Sequence, residues 1–334
     1  MYKLNTQKQG LYFYKRYFFR LHPQKKGGKN DLNTIIVKLS IKNNGSIKKI
    51  IDLIMKLIKK HLAKKKYFYC TFGGMKYPFS YLVKIQFLGF RFHGWQKQPG
   101  IKTVHDIVDK SLHFVFERED YKTIGIGRTD AKVSASSYYI NLFTRFEFNK
   151  DTFLKEFNKN APADLKAVSF KELPEGFDLI NSEKIKEYHY YFSFGEKNHP
   201  FAAPFMTGLQ KDLNLEQMKL GAKLFEGEHY FHKYCTKPSA KTLFKRRIDS
   251  CEILENDVLT ANFFPEKSYV LKVRGKGFLR YQIRLMMATL FEVGKGNLSL
   301  QFIEASLKED NDQKSLRNVA PGSGLQLYDV DFVV

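Results

Sequence analysis

In the stretch SYLVKIQFLG, residues 80–89, Tyr81, Val83, Ile85 and Phe87 fall at every second position, with Lys84 and Gln86 between them. A period of two is the spacing of a strand with one side against a core. Directly downstream, KTVHDIVDKSLHFVF (102–116) sets Val104, Ile107, Val108, Leu112 and Val115 at helical intervals, and Thr103 offers its hydroxyl as an N-cap. SSYYINLFTRFEF (136–148) has the character of the next strand, and KEYHYYFSFG (186–195) puts Tyr188, Tyr190, Phe192 and Phe194 on one strand face. SYVLKVRGKGFLRYQIRLMMATLFEVGKG (268–296) then predicts a strand, a glycine turn and a helix ending near Gly294. Its core stripe would be Leu279, Ile283, Met286, Leu290 and Val293, with Arg280 and Arg284 four apart on a neighbouring face. At 334 residues and 43% hydrophobic, the chain can bury one large core or two ordinary ones. The expectation is an α+β chain of two domains whose halves share a loosely similar plan.

The net charge of +22 is unevenly placed. Residues 1–74 carry 18 Lys and Arg against two acids, Asp31 and Asp52, which leaves 38 and 32 for the other 260 residues. The main body is therefore only mildly basic, and its partner has to be argued from local clusters. Three readings fit the first 74 residues: a start of translation at Met75, a functional basic arm, or a transit peptide. SIKKIIDLIMKLIKKHLAKKK (46–66) would suit a basic amphipathic helix. No apolar run approaches a membrane span, and Cys70, Cys235 and Cys251 are too few and scattered for a disulfide framework. These features predict a cytoplasmic protein with free thiols, or an organellar one if 1–74 is a transit peptide.

The segment TIGIGRTDAKVSAS (123–136) holds a carboxylate, Asp130, two residues behind Arg128 on a glycine-flanked turn. GIGRTD shares two glycines with a dinucleotide loop but lacks the third, and a helix, not a strand, is expected before it. A tight turn carrying a surface ion pair is the plainer reading. HYFHKYC (229–235) spaces His229, His232 and Cys235 by three, without a second pair to complete a metal site. FRFHGWQKQPG (90–100) gathers Arg91, His93, Trp95, Gln96 and Lys97, a mixture that can stack bases and bind phosphates, or plug a core with the only Trp. No Walker loop or Ser-His-Asp order is present. A single carboxylate with arginines and a tyrosine suits attack at a carbon that bears a leaving base.

GFRFHGWQKQPGIKTVHDIVDKSL, GRTDAKVSA, EYHYY, GFLRYQIRLMMATLFEVGKG and APGSGLQLYDVDF occur in this order between residues 89 and 332. Together they resemble the tRNA pseudouridine synthase A family over about residues 79–334. The resemblance implies a two-domain pseudouridine synthase fold, 75–182 and 183–334, each domain with a largely antiparallel sheet flanked by helices and a central RNA cleft between them, a homodimer, and uridine isomerisation in the anticodon arm of tRNA. In that reaction the N1–C1′ glycosidic bond breaks, the uracil turns, and C5 joins C1′. Nothing is oxidised and no group leaves, so neither a cofactor nor a metal is implied.

Carried onto this sequence, the family's catalytic aspartate falls on Asp130, its active-site tyrosine on Tyr188 and its helix arginine on Arg284. Attack on the ribose carbon and attack on the base both require an ionised Asp130, which a nearby cation must support against desolvation. Tyr188 would stack on the uracil and assist removal of the C5 proton. Arg128 would contact the RNA near the target or help hold the extruded nucleotide out of its stack, and Arg91, His93, Trp95, Gln96, Lys132 and Arg280 are the further RNA contacts expected. The family's glycine and histidine after the aspartate motif are Lys132 and Ser134 here, its YDG is FLG at 87–89, and an arginine expected in GFDLINSEK (176–184) is missing. These departures touch RNA positioning and leave the catalytic set intact. FHKYCTKPSAKTLFKRR (231–247) supplies more basic and aromatic groups for the tRNA body, or a solvated loop. The competing class is a tRNA-binding protein on the same fold without turnover.

Overall fold

The computed structural model describes residues 77–174, 176–309 and 314–332, together with the backbone of 11–14 and 17–20. The last two form an antiparallel hairpin, β1 (Leu11–Tyr14) and β2 (Tyr17–Arg20). The basic helix expected at 46–66 and Cys70 lie outside the described residues.

The alternating segment is β3 (Phe79–Phe87), and Tyr81, Val83, Ile85 and Phe87 are all buried. Helix α1 (Val104–Phe116) starts where Thr103 Oγ1 accepts from the Asp106 amide at 3.4 Å, as the sequence predicts. Between α1 and β5 (Ser134–Thr144) the structure inserts a strand that the sequence reading lacks, β4 (Tyr121–Gly125), paired antiparallel with β5. A strand, not a helix, therefore leads into the GRTD turn. The dinucleotide reading fails for another reason: a strand follows the turn, so no helix N-terminus is there to receive a phosphate.

After α2 (Lys150–Asn160) and β6 (Leu165–Glu172), the chain crosses to β7 (Lys184–Phe194). The second half adds β8 (Thr207–Leu209), α3 (Leu215–Lys223), the hairpin β9 (Gly227–Tyr230) and β10 (Lys245–Ile248), β11 (Ser250–Glu255) and β12 (Tyr269–Gly275). Helices α4 (Gln282–Gly294) and α5 (Leu300–Ser306) and the strand β13 (Leu325–Phe332) complete it.

The two sheets expected are joined into one, in the order β11-β12-β7-β13-β5-β3-β6, with β4 beside β5 and β8 beside β7. Pairing is antiparallel except at β7–β8 and at the seam, where β13 runs parallel to β5 through Gln326–Ser134 and Leu327–Ala135. Two apolar clusters lie on either side of that seam. One is built mainly from residues 81–179 around Tyr138, Phe153 and Phe157; the other is built mainly from 190–325 around Phe192, Phe225 and Met286. Tyr188 packs against both.

Helix α4 differs from its expected form. It begins at Gln282, after Tyr281 at φ 65°, so Leu279 and Arg280 precede it and Arg280 does not share a helix face with Arg284. Eleven of its thirteen residues are buried, which makes it a core helix and not an amphipathic one with a single stripe.

Candidate active site

The GRTD turn, residues 126–133, is held at five points by residues from elsewhere in the first half and from β7. The Trp95 amide donates to Thr129 O at 3.1 Å and the Lys132 amide to Phe92 O at 2.9 Å. Tyr138 Oη donates to Gly127 O at 2.5 Å, Lys186 Nζ approaches Ile126 O at 3.4 Å, and the Ile126 amide donates to Tyr139 O at 2.9 Å. The 320–324 loop closes over the turn. A Cβ on Gly322 would lie 2.2 Å from Ala131 O, so only glycine allows this approach.

Asp130 projects from the turn towards α4, where Arg284 Nη1 stands 3.3 Å from its Oδ2. The two side chains are 22% and 13% exposed, so the pair is shielded but open to one side. Burial raises the Asp130 carboxyl above the usual carboxylate range, opposed by the Arg284 guanidinium and more weakly by Arg280. Arg284 is itself fixed: its Nε donates to Ala320 O at 2.7 Å, and its guanidinium lies 4.8 Å from the Tyr281 ring centre. The left-handed kink at Tyr281 puts that ring beside both arginines, with Arg280 at 5.5 Å. Tyr188 stands edge-on to Phe278 at 5.3 Å, and burial together with the Asp130 charge drives its phenol far above its ordinary pKa. Asp130, Arg284 and Tyr188, read from three separate motifs, thus meet at the seam of the sheet.

The flanking residues fall into two groups. Arg128, His93, Gln96 and Arg280 are exposed. Trp95, expected among the RNA contacts, is instead 3% exposed, stacked on His105 at 4.8 Å and against Tyr138 at 4.3 Å. It is a core plug whose indole occupies the space a Cβ on Gly125 would need, at 2.5 Å. Arg91 makes a forked ion pair with Asp164, its Nη2 donating to Oδ1 at 2.6 Å. The cluster at 229–235 does not converge on a metal: His229 Nε2 lies 2.7 Å from Glu226 O, and no group of three metal-binding side chains occurs among the described residues.

The two departures after Asp130 now have local explanations. Ser134 Oγ accepts from the buried Gly89 amide at 2.9 Å, so it anchors the end of β3. Lys132 sits at φ 66°, a left-handed conformation that favours glycine, and sends its ammonium over the exposed Phe90 ring at 5.4 Å. Left-handed strain of about 1–2 kcal/mol, less the chain entropy glycine adds and a weak cation–π contact, predicts that Lys132→Gly stabilises the fold by about 0.5–1 kcal/mol. Chemical denaturation would check this, and a lower midpoint for the glycine variant would contradict it.

One residue of this neighbourhood has no counterpart in the sequence reading. Lys186, two positions before Tyr188 on β7, reaches the GRTD turn, where a Cβ on Gly127 would come within 2.9 Å of its Nζ. Its parity with Tyr188 and Tyr190 puts it on the apolar face of the strand, and that place alone marks it.

The seam of the two half-sheets thus brings a carboxylate, an arginine and a tyrosine together. A family profile described as tRNA pseudouridine synthase matches residues 222–333. The tRNA pseudouridine synthase A of Dictyoglomus thermophilum is 31% identical over 255 residues, covering 76% of this chain and 99% of that protein. Its counterpart from Aquifex aeolicus is 30% identical over 251 residues, covering 75% and 98%, and that from Listeria monocytogenes serotype 4a is 27% identical over 252 residues, with the same coverage. The chain belongs to the tRNA pseudouridine synthase A family, and it is an isomerase acting on tRNA.

Proposed function

We propose that the chain converts uridine to pseudouridine in the anticodon stem-loop of tRNA, with Asp130 as the catalytic carboxylate, Arg284 as its charge partner and Tyr188 as the surface on which the uracil rests. The single observation that carries this reading is the Asp130–Arg284 pair at 3.3 Å, partly shielded and facing Tyr188. The target uridine has to leave its stack to present C1′ to a carboxylate in such a recess, and unpaired or weakly paired bases in an anticodon arm are the cheapest to extrude. As the N1–C1′ bond breaks, its electron pair stays with the uracil and the sugar carbon becomes electron-poor, a change that a carboxylate 3.3 Å from a fixed guanidinium can stabilise. The uracil turns, C5 forms the new bond to C1′, C5 loses a proton and N1 gains one, so atoms balance without a co-reactant. If the carboxylate instead adds to the base, the same pair still holds it ionised.

We assign to Tyr188 the stacking of the uracil and assistance in removing the C5 proton; burial and the neighbouring Asp130 charge push its phenol up. Arg128, His93, Gln96 and Arg280, all exposed, are the residues we assign to the RNA backbone and to the extruded nucleotide's neighbours.

Carbodiimide labelling and primer extension on unmodified tRNA transcripts tests the assignment. Stops confined to the anticodon arm are expected; stops elsewhere, or binding without any stop, would reject the site preference or the activity. We also infer a homodimer. Exposed Phe201, in ring contact with Phe263, and the adjacent Phe205 and Phe264 form an aromatic patch suited to burial. Light scattering should read about twice the chain mass of 39.1 kDa.

A further inference from the structure

Among the described residues, no carboxylate pairs with Lys186. In the sheet its flanking positions are Gly275 on β12 and Val330 on β13, neither of which can pair with an ammonium. Along its own strand the same face carries Lys184 and Tyr188. Lys184 is already held by three carbonyls, with Nζ donating to Leu179, Ile180 and Ser182 at 2.6, 2.8 and 3.1 Å. The nearby carboxylates are engaged elsewhere: Glu187 with His189 and Arg274, Glu183 with Lys276, Asp331 with Arg274, and Asp130 with Arg284. From the turn packed against it, Lys186 meets the Ile126 carbonyl at 3.4 Å, while the Tyr138 phenol is committed to Gly127 O. Among the described residues this long contact is the one acceptor recorded for an ammonium with three protons to donate.

We propose that Lys186 is a substrate-contacting residue of this synthase, and that its ammonium takes a phosphate oxygen of the RNA next to the extruded uridine. The inference rests on tRNA being the substrate. A partly buried cation with neither counter-ion nor full hydrogen bonding costs free energy unless a ligand supplies the missing charge. An RNA phosphate does so, whereas a neutral uracil or ribose oxygen would leave the charge uncompensated. The neighbouring Tyr188 and the GRTD turn place that phosphate beside the nucleotide Asp130 attacks. Burial and Lys184 hold the Lys186 ammonium down at about 8, so a bound phosphate would raise its pKa and bind less well as pH climbs past that value.

The test compares the full chain with its Lys186→Met and Lys186→Arg forms, measuring tRNA affinity against salt and pH together with pseudouridine yield. Loss of one charge-assisted contact predicts about a tenfold higher Kd for Lys186→Met, with kcat changed by less than about threefold. The slope of log K against log salt should fall by about 0.7, the value of one phosphate on a single strand. Between pH 7 and pH 9 the wild type should lose affinity while Lys186→Arg, still charged, does not, and this arm decides the matter even if the Met form fails to fold. An unchanged Kd and slope with a fall in kcat would mean that Lys186 only props the turn, and would overturn the proposal. A raised Kd with an unchanged slope would reassign the contact to a neutral oxygen and overturn the phosphate. If the wild type yields no pseudouridine, the functional reading fails separately, because affinity and slope report on Lys186 without turnover.

Discussion

Asp130→Asn should abolish pseudouridine formation, by at least about 10³-fold in single-turnover rate, while the protein remains folded and tRNA affinity stays equal or rises. The amide keeps the shape of the carboxylate and can still accept from Arg284 Nη1, now 3.3 Å from Oδ2, so the junction between the turn and α4 survives. What it lacks is the negative charge and the electron pair that capture an electron-poor centre. Affinity is retained because a carboxylate at the mouth of an RNA site repels phosphates, and its neutralisation removes that cost. Tritium release from C5-labelled uridine in tRNA reads the chemistry, and filter binding reads the affinity. Residual turnover within tenfold of wild type would remove Asp130 from the catalytic role, whereas parallel loss of binding and of the thermal transition would show only a collapsed turn. The non-catalytic alternative makes a different prediction: neither wild type nor variant would release tritium while both bind.

How much of this was legible in the sequence depends on whether a side chain announces its environment. Tyr81, Val83, Ile85 and Phe87 did, because one buried face imposes a period of two, and Thr103 did, because a cap needs a hydroxyl at that place. The strand β4 did not: its buried end is Gly125, which has no side chain to read and exists to receive the Trp95 ring. Trp95 itself was ambiguous, since a loop rich in basic and aromatic residues does not say which ring turns inward. The join of the two half-sheets pairs Leu327 with Ala135, far apart in the chain, and no local pattern encodes such a partner. Of the site, motif order alone brought Asp130, Tyr188 and Arg284 together. Lys186 has the parity of Tyr188, so its face could be read, but its isolation could not, because it follows from Gly275 and Val330 on strands that only the fold makes its neighbours.

Arg284→Met should slow pseudouridine formation at pH 7 by about 10²-fold and move the acid limb of the pH–rate profile upward by at least about one unit. Burial already raises the Asp130 carboxyl, and Arg284 is the larger of the two cations opposing it; without that charge only Arg280 remains. The sign follows from the reactive form. Turnover needs the ionised carboxylate, so raising its pKa lowers the ionised fraction at any pH near it, and rate should return in part as pH is raised. Stability moves the other way. A carboxyl whose folded-state pKa exceeds its unfolded value favours the fold while protonated and loses that contribution as pH rises through the folded pKa. The variant should therefore be relatively more stable near pH 5 than near pH 8, compared with wild type. Adding Asp130→Asn to Arg284→Met should erase this difference, because the titrating group is gone. Arg284→Lys separates charge from geometry: an ammonium restores most of the pKa shift but cannot donate to Ala320 O and Asp130 in the same fork, so its acid limb should return to near the wild-type position while the rate stays low. A pH–rate profile for Arg284→Met that falls uniformly, with no displacement of its acid limb, would mean that Arg284 contacts the RNA and does not set the charge state of Asp130.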